Sequence, residues 1–168
     1  MALVVSSEPG AHGAVSLRGA GQAHRHQHLT AMEDVMRCGA SDAAAHALRE
    51  AGMAVADVDY LGIYDSFTIT LVMLLEELGF APRAGAAARL RAGDFSRDGT
   101  LPLNTHGGLL SYGHCGVAGG MAHVVEAWRQ MCAQAGDRQL AKTPARALIH
   151  ADGGVMSSHV SLVLAREE

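Results

Sequence analysis

The thirteen residues Asn104-Thr105-His106-Gly107-Gly108-Leu109-Leu110-Ser111-Tyr112-Gly113-His114-Cys115-Gly116 constrain this chain most. Four glycines in so short a span interrupt any regular element, and they let the backbone turn at positive φ and come close to a ligand. On one side of the loop, Phe67, Leu71, Leu74, Leu75 and Leu78 fall on a single helical stripe that stops at Gly79. On the other side, Val117, Met121, Val124, Val125, Trp128 and Met131 make a second core stripe, followed by Gly136. The chain must therefore turn here between two helices. His114, on the loop at a helix start, can exchange protons near neutral pH. The plain alternative is an ordinary glycine-rich connector with a surface histidine.

The rest of the chain alternates strand-like and helix-like patterns. Residues 2–6 read as a short buried strand, and residues 14–20 alternate as a second one. His24, His26 and His28 stand at every second position and could line one face of an extended segment around a metal. Zinc needs three or four ligands at close range, and no neighbouring cysteine or carboxylate pattern completes such a site. A solvated loop at a pocket rim is the preferred reading, with no metal. Residues 41–52 read as a helix capped by Ser41 or Asp42 and ended by Gly52. Residues 57–64 form a strand, 81–100 are irregular, and 145–150 and 158–165 are two further strands. Strands alternating with helices imply a mostly parallel sheet with helices outside. The last two strands, joined by a short turn, should pair antiparallel. The expectation is one α/β domain over residues 1–168, with five strands in a mixed sheet.

Composition narrows the function classes. A formal charge of −4 leaves no basic footprint for nucleic acid. No apolar run reaches the roughly 18 residues of a membrane span, and the N-terminus lacks the charged start and apolar core of a signal peptide. Three cysteines, an odd number at scattered spacings, argue against a disulfide framework. A cytoplasmic location is expected.

Two more stretches place polar residues just past a strand-like run, where open α/β sheets carry their sites. They are Tyr64-Asp65-Ser66-Phe67 and His150-Ala151-Asp152-Gly153-Gly154. With the central Gly113-His114 loop between them, they resemble the C-terminal half of the thiolase superfamily, in its lipid-transfer-protein or sterol-carrier-protein-x branch. The resemblance implies a three-layer α-β-α half with a mixed five-stranded sheet and helices on both faces. His114 matches the histidine of the family's Gly-His-Pro motif, which activates a nucleophilic cysteine and helps form an oxyanion hole; Cys115 replaces the proline. Tyr64 stands where the family has the asparagine of Asn-Glu-Ala-Phe, or a histidine, that orients an oxyanion-hole water. His150 stands where thiolases carry the acid/base cysteine of Cys-x-x-Gly-Gly, and Gly153 and Gly154 keep the backbone whose amide can face an oxyanion. Asn104, Gly107, Gly108 and Gly113 would line the substrate.

The substrate so implied is a coenzyme A thioester, with no permanently bound cofactor. In thiolases the nucleophilic cysteine comes from an N-terminal half of similar fold. This chain begins roughly where that half ends, and none of its cysteines stands in the nucleophile's context. It would therefore be an acetyl-CoA acetyltransferase-type domain supplying the histidine side of the site. The cysteine would come from a partner or missing half, within a homodimer or a heteromer with a companion subunit. The alternatives are a retro-aldolase-type carbon–carbon lyase acting on an acyl-CoA by tyrosine acid/base chemistry, and a non-catalytic acyl-CoA or lipid-binding or assembly subunit. All these readings expect the three polar loops to converge at one rim of one sheet and form half of a thioester pocket.

Overall fold

The structure, a computed structural model, describes residues 2–8 and 15–167, apart from the side chain of Val117. Residue 14 of the expected second strand and the Val117 side chain of the second stripe lie outside the described residues. The elements run β1 (Val15–His24), α1 (Ala40–Ala51), β2 (Tyr60–Ile63), α2 (Thr68–Glu77), α3 (Ala86–Ala92), α4 (Gly108–Tyr112), α5 (Gly119–Met131), β3 (Arg146–Gly153) and β4 (Ser158–Arg166). The sheet order is β1-β4-β3-β2. Strands β2 and β3 pair parallel, and β4 pairs antiparallel with both β3 and β1. The mixed sheet and the antiparallel last pair are as the sequence implies, but the sheet is not mostly parallel as expected. Among the described strands only the β2–β3 pairing is parallel, because β4 turns straight back and β1 pairs against it.

The sheet has four strands where five were expected. Residues 2–6 form no strand, and Val4 and Val5 are 91% and 81% exposed. A short apolar run becomes a strand only where a ladder accepts it, and none of the described edges does. The opposite edge, beside β2, is finished without a strand. Leu61 N–H donates to Pro102 C=O at 2.9 Å and Asn104 N–H donates to Leu61 C=O at 3.0 Å. The Asn104 side chain then copies a peptide: Oδ1 accepts Ile63 N–H at 2.9 Å and Nδ2 donates to Ile63 C=O at 2.7 Å. Residues 81–100 also depart from the expectation of irregular chain. The run Ala86-Ala87-Ala88-Arg89-Leu90-Arg91-Ala92 is made of strong helix formers, and it coils into α3 with Ala86 fully buried.

Strand parity divides the core into two layers. Leu61, Ile63, Leu148 and Val163 point toward α1 and α2, where Ala44, Leu48, Leu74 and Leu75 meet them. Tyr60, Ala147, Ile149 and Leu164 point toward α5, against Ala127 and Met131. Helices therefore cover both faces. Helix α1 lies unusually close to β1. A Cβ on Gly21 would stand 2.1 Å from the Ala43 carbonyl oxygen, and one on Gly19 would stand 2.0 Å from that of Ala47. Glycine facing alanine is what lets backbone approach backbone here. Among the described residues, no helix is long and apolar enough to cross a membrane.

Candidate functional site

Tyr64 leaves the C-terminal end of β2, and His114 follows the last turn of α4. Their side chains hydrogen-bond, Tyr64 Oη with His114 Nε2, and the rings meet edge-on with centroids 5.8 Å apart. The other ring nitrogen decides the direction. His114 Nδ1 accepts the Gly116 N–H at 3.0 Å, so in the neutral ring the proton sits on Nε2. His114 therefore donates to the Tyr64 oxygen, and the phenolic proton of Tyr64 is left free to point at a ligand. Burial raises the Tyr64 phenol above its ordinary pKa, and the acidic groups of Asp152, Cys115 and Asp65 raise it further. Tyr64 is thus a neutral hydrogen-bond donor at physiological pH.

The loop that carries His114 is fixed from below. Helix α5 turns Gly119, Ala122, His123, Glu126, Ala127, Gln130 and Met131 inward. This differs from the apolar stripe read from the sequence, of which Met121 is exposed and Val124, Val125 and Trp128 are only partly covered. The buried face is polar because it holds the loop. Glu126 accepts from Thr105 Oγ1 at 2.8 Å, Gln130 Nε2 at 3.1 Å, and Arg138 Nη2 at 3.0 Å. Burial opposes the Glu126 charge, but bonds from Arg138, Thr105 and Gln130 outweigh it and hold the carboxyl below its ordinary range. Asp65, only 3% exposed, accepts the backbone N–H of Leu109 at 2.8 Å and of Leu110 at 3.3 Å.

Two histidines not singled out from the sequence meet here, His106 in the loop itself and His123 on α5. His106 and His123 pack edge-to-face with ring centroids 5.0 Å apart, and none of their four ring nitrogens has a hydrogen-bond partner among the described residues. His123 Nε2 is 3.7 Å from Asp65 Oδ1, beyond hydrogen-bond reach. Burial, and then His106, push His123 down to about 3. No apolar periodicity marks His123, which shares its buried face with Gly119, Ala122, Glu126 and Ala127.

The three loops do meet at one end of the sheet. Tyr64 N–H donates to His150 C=O at 2.9 Å. A Cβ on Gly120 would sit 3.3 Å from that of Ala151. The imidazole of His150, however, follows strand parity to the α1–α2 face, away from Tyr64 and His114. There it is fully buried, with Nδ1 2.8 Å from Ser161 Oγ and Nε2 3.1 Å from His159 Nδ1. His159 Nε2 lies 2.9 Å from Met156 C=O. A carbonyl only accepts, so the whole chain of bonds is directed: Ser161 to His150 to His159 to Met156. Burial, with His159 adding, pushes His150 down to about 3. Gly153 and Gly154 lead into a turn in which Gly154, Val155 and Met156 have φ of 58°, 60° and 60°. Between them and His150, Asp152 has an unpartnered buried Oδ1, and burial pushes its carboxyl up to about 6.

The structure thus brings Tyr64, His114 and the Asn104, Gly107, Gly108 and Gly113 loop together, and it does not bring the His150 ring to them. The Cys38 thiol donates to Glu77 and burial pushes it up to about 12, while Cys132 is also raised by burial; Cys115 is exposed. Among the described residues, no group of three or more His, Cys, Asp or Glu side chains is placed to hold a metal ion. A cavity of about 390 Å³ lined by Asp59, Arg97, Thr100, Pro102 and Lys142 opens at the opposite, N-terminal ends of β2 and β3 and touches none of the residues above.

Residues 21–166 match the family model described as thiolase C-terminal domain-like. The benzoylsuccinyl-CoA thiolase subunit BbsB of Thauera aromatica is 34% identical over 111 residues, which are 66% of this chain and 29% of that protein. The 17-hydroxy-3-oxo-4-pregnene-20-carboxyl-CoA lyase of Mycobacterium tuberculosis is 38% identical over 84 residues, 49% of this chain and 20% of that one. Among solved structures, the Ltp2-ChsH2(DUF35) aldolase superposes with a TM-score of 0.74 at 27% identity, covering 89% of this chain and 39% of that one. This chain spans less than a third of the length of either sequence relative.

Proposed function

Since this chain belongs to the thiolase C-terminal domain-like family, we propose that Tyr64 and His114 form the oxyanion side of a site for carbon–carbon bond chemistry on a coenzyme A thioester. The observation that carries the reading is the direction of their hydrogen bond. With Gly116 N–H on Nδ1, His114 holds the Tyr64 oxygen from behind and leaves its proton for a substrate oxygen. A donor fixed before the reaction begins stabilises developing negative charge without reorganising.

The lyase direction fits this donor well. A β-hydroxyacyl thioester loses its hydroxyl proton to a base, the bond between Cα and Cβ breaks, and the electron pair enters the thioester as an enolate. Tyr64 donates to that enolate oxygen; protonation at Cα then releases an acyl-CoA beside a carbonyl product. His150, sealed with both nitrogens engaged, acts through the strand that carries Gly153 and Gly154 and not as the base. The similarity to a carboxyl-CoA lyase and to an aldolase supports this reading. A second reading, thiolase-type acyl transfer with a cysteine supplied from elsewhere, is supported by the similarity to a thiolase subunit. In both, the rest of the pocket comes from a longer protein or a companion subunit, as a homodimer or heteromer.

The test pairs two assays, β-hydroxyacyl-CoA cleavage and 3-ketoacyl-CoA thiolysis, on the chain alone and with proteins that copurify from its native cell. Tyr64→Phe should lower turnover by about 10²-fold, the cost of one oxyanion donor. Cleavage that persists after thiol alkylation identifies the lyase, and thiolysis abolished by it identifies the transferase. Micromolar acyl-CoA binding with no turnover in any combination would make this a binding subunit. An unaltered rate in Tyr64→Phe would remove the oxyanion assignment.

A further inference from the structure

We propose that Asp65 is the positioning residue that sets the Tyr64–His114 pair, and so decides how well the oxyanion donor is aimed; this rests on the reading of that pair given above. Asp65 follows Tyr64 directly in the chain, so its main chain is the continuation of the strand end that carries the phenol. Its carboxylate reaches across to α4, where Oδ1 takes the Leu109 N–H and Oδ2 the Leu110 N–H. His114 stands four residues beyond Leu110 on the same short stretch. One side chain therefore joins the two segments that the Tyr64–His114 bond must hold in register.

The surroundings are built to that carboxylate. Gly108 has φ +67°, and a Cβ there would lie 2.0 Å from Asp65 Oδ2, so the side chain occupies the space that any other residue at 108 would need. Tyr64 is set from the other side by α5. A Cβ on Gly119 would be 3.1 Å from Tyr64 Cε2 and 3.3 Å from Leu109 Cδ1, which puts the phenol ring and the Leu109 side chain in one layer against α5. Helix α4 has only five residues, too few to sustain itself. Its first amides have no partner within the helix; two of them are taken by Asp65. His123, facing from α5, is too distant from Oδ1 to compete for it, and no Lys or Arg contacts the carboxylate among the described residues.

Asp65→Asn keeps the shape and removes one acceptor. The amide offers one oxygen to two N–H groups and turns its own NH₂ toward the other. The readout is the side-chain nitrogen NMR spectrum of His114 in the full chain, compared with wild type and with Tyr64→Phe, in which the bond to His114 is absent by construction. The expected result is that Asp65→Asn moves the His114 nitrogens most of the way to their Tyr64→Phe positions while the dispersed backbone spectrum is kept. His114 signals that overlay on wild type in folded Asp65→Asn would overturn the inference. In whichever assembly turns over, kcat should fall by about tenfold to a hundredfold with KM changed far less, as misplacement of a reacting group does. Loss of activity in Tyr64→Phe tests the reaction, and the NMR comparison tests the clamp, so the two fail separately. Should Asp65→Asn not fold, amide exchange in wild type decides. Leu109 and Leu110 should be protected by about a hundredfold or more over free peptide, and exchange at the free rate would refute the clamp.

Discussion

Gly116 N–H and Met156 C=O fix the protons on three imidazoles. The first makes His114 a donor at Nε2; the second makes His159 a donor at Nε2 and, through it, His150 a donor at Nε2. His150 Nδ1 is then an acceptor that, among the described residues, Ser161 alone satisfies. Ser161→Ala should leave that buried nitrogen without a donor and destabilise the fold by about 1–3 kcal/mol, read by urea unfolding, while leaving the His114 spectrum unchanged. A variant as stable as wild type would show that the directed chain is not formed. The position of His150 at a strand end was legible in the sequence; its surroundings were not. The needed clue was parity. Leu148 and His150 share one face of β3, and His159, Ser161 and Val163 share the matching face of β4. A histidine two residues from a serine on the partner strand's inward face signals a packed pair more than a free acid or base.

At the scale of elements, the strand and helix alternation could be read because period and turn residues agree: Gly52 has the left-handed φ of 66° that ends α1 where expected. Helix α5 could not be read correctly from apolar spacing. Its inward face is defined by what the Asn104–Gly107 loop requires, namely Glu126 and Gln130 beneath Thr105, and hydropathy does not register that demand. Glu126→Ala should strip Thr105, Gln130 and Arg138 of their shared acceptor and lower stability by about 2–4 kcal/mol. Arg138 is partly solvated, which keeps the loss at the lower end. Thermal unfolding checks this, and an unchanged midpoint would mean the network is dispensable. The α1–β1 contact carries a sharper expectation. Gly21→Ala places a methyl 2.1 Å from a helix carbonyl, and because backbone must move to relieve it, a loss of about 3 kcal/mol or more is expected. Expression with wild-type stability would contradict the close approach.

Four histidines, His106, His123, His150 and His159, are held toward the neutral form by burial. His123 and His150 are pushed from an ordinary 6.5 to about 3, chiefly by burial, and His106 and His159 are also lowered. The unfolded chain therefore binds more protons than the folded one between those values, and stability falls as pH drops below about 6.5. Asp152 works the other way. Its carboxyl is raised from 3.8 to about 6, so the fold binds its proton first and gains over that window. Two histidines outweigh one carboxyl, so the urea midpoint should fall steadily from pH 7 to pH 5, and a rising midpoint would show that the imidazoles are not sealed. The Asn104 side chain has a consequence of its own. It substitutes for a neighbouring chain on the last strand by offering Ile63 the same donor and acceptor a peptide would. A bare strand margin is a template for intermolecular pairing. With the main chain of residues 102–104, which pairs with Leu61, this carboxamide closes the β2 margin, so Asn104→Ala should strip Ile63 of a donor and an acceptor and be felt first as turbidity in concentrated solution.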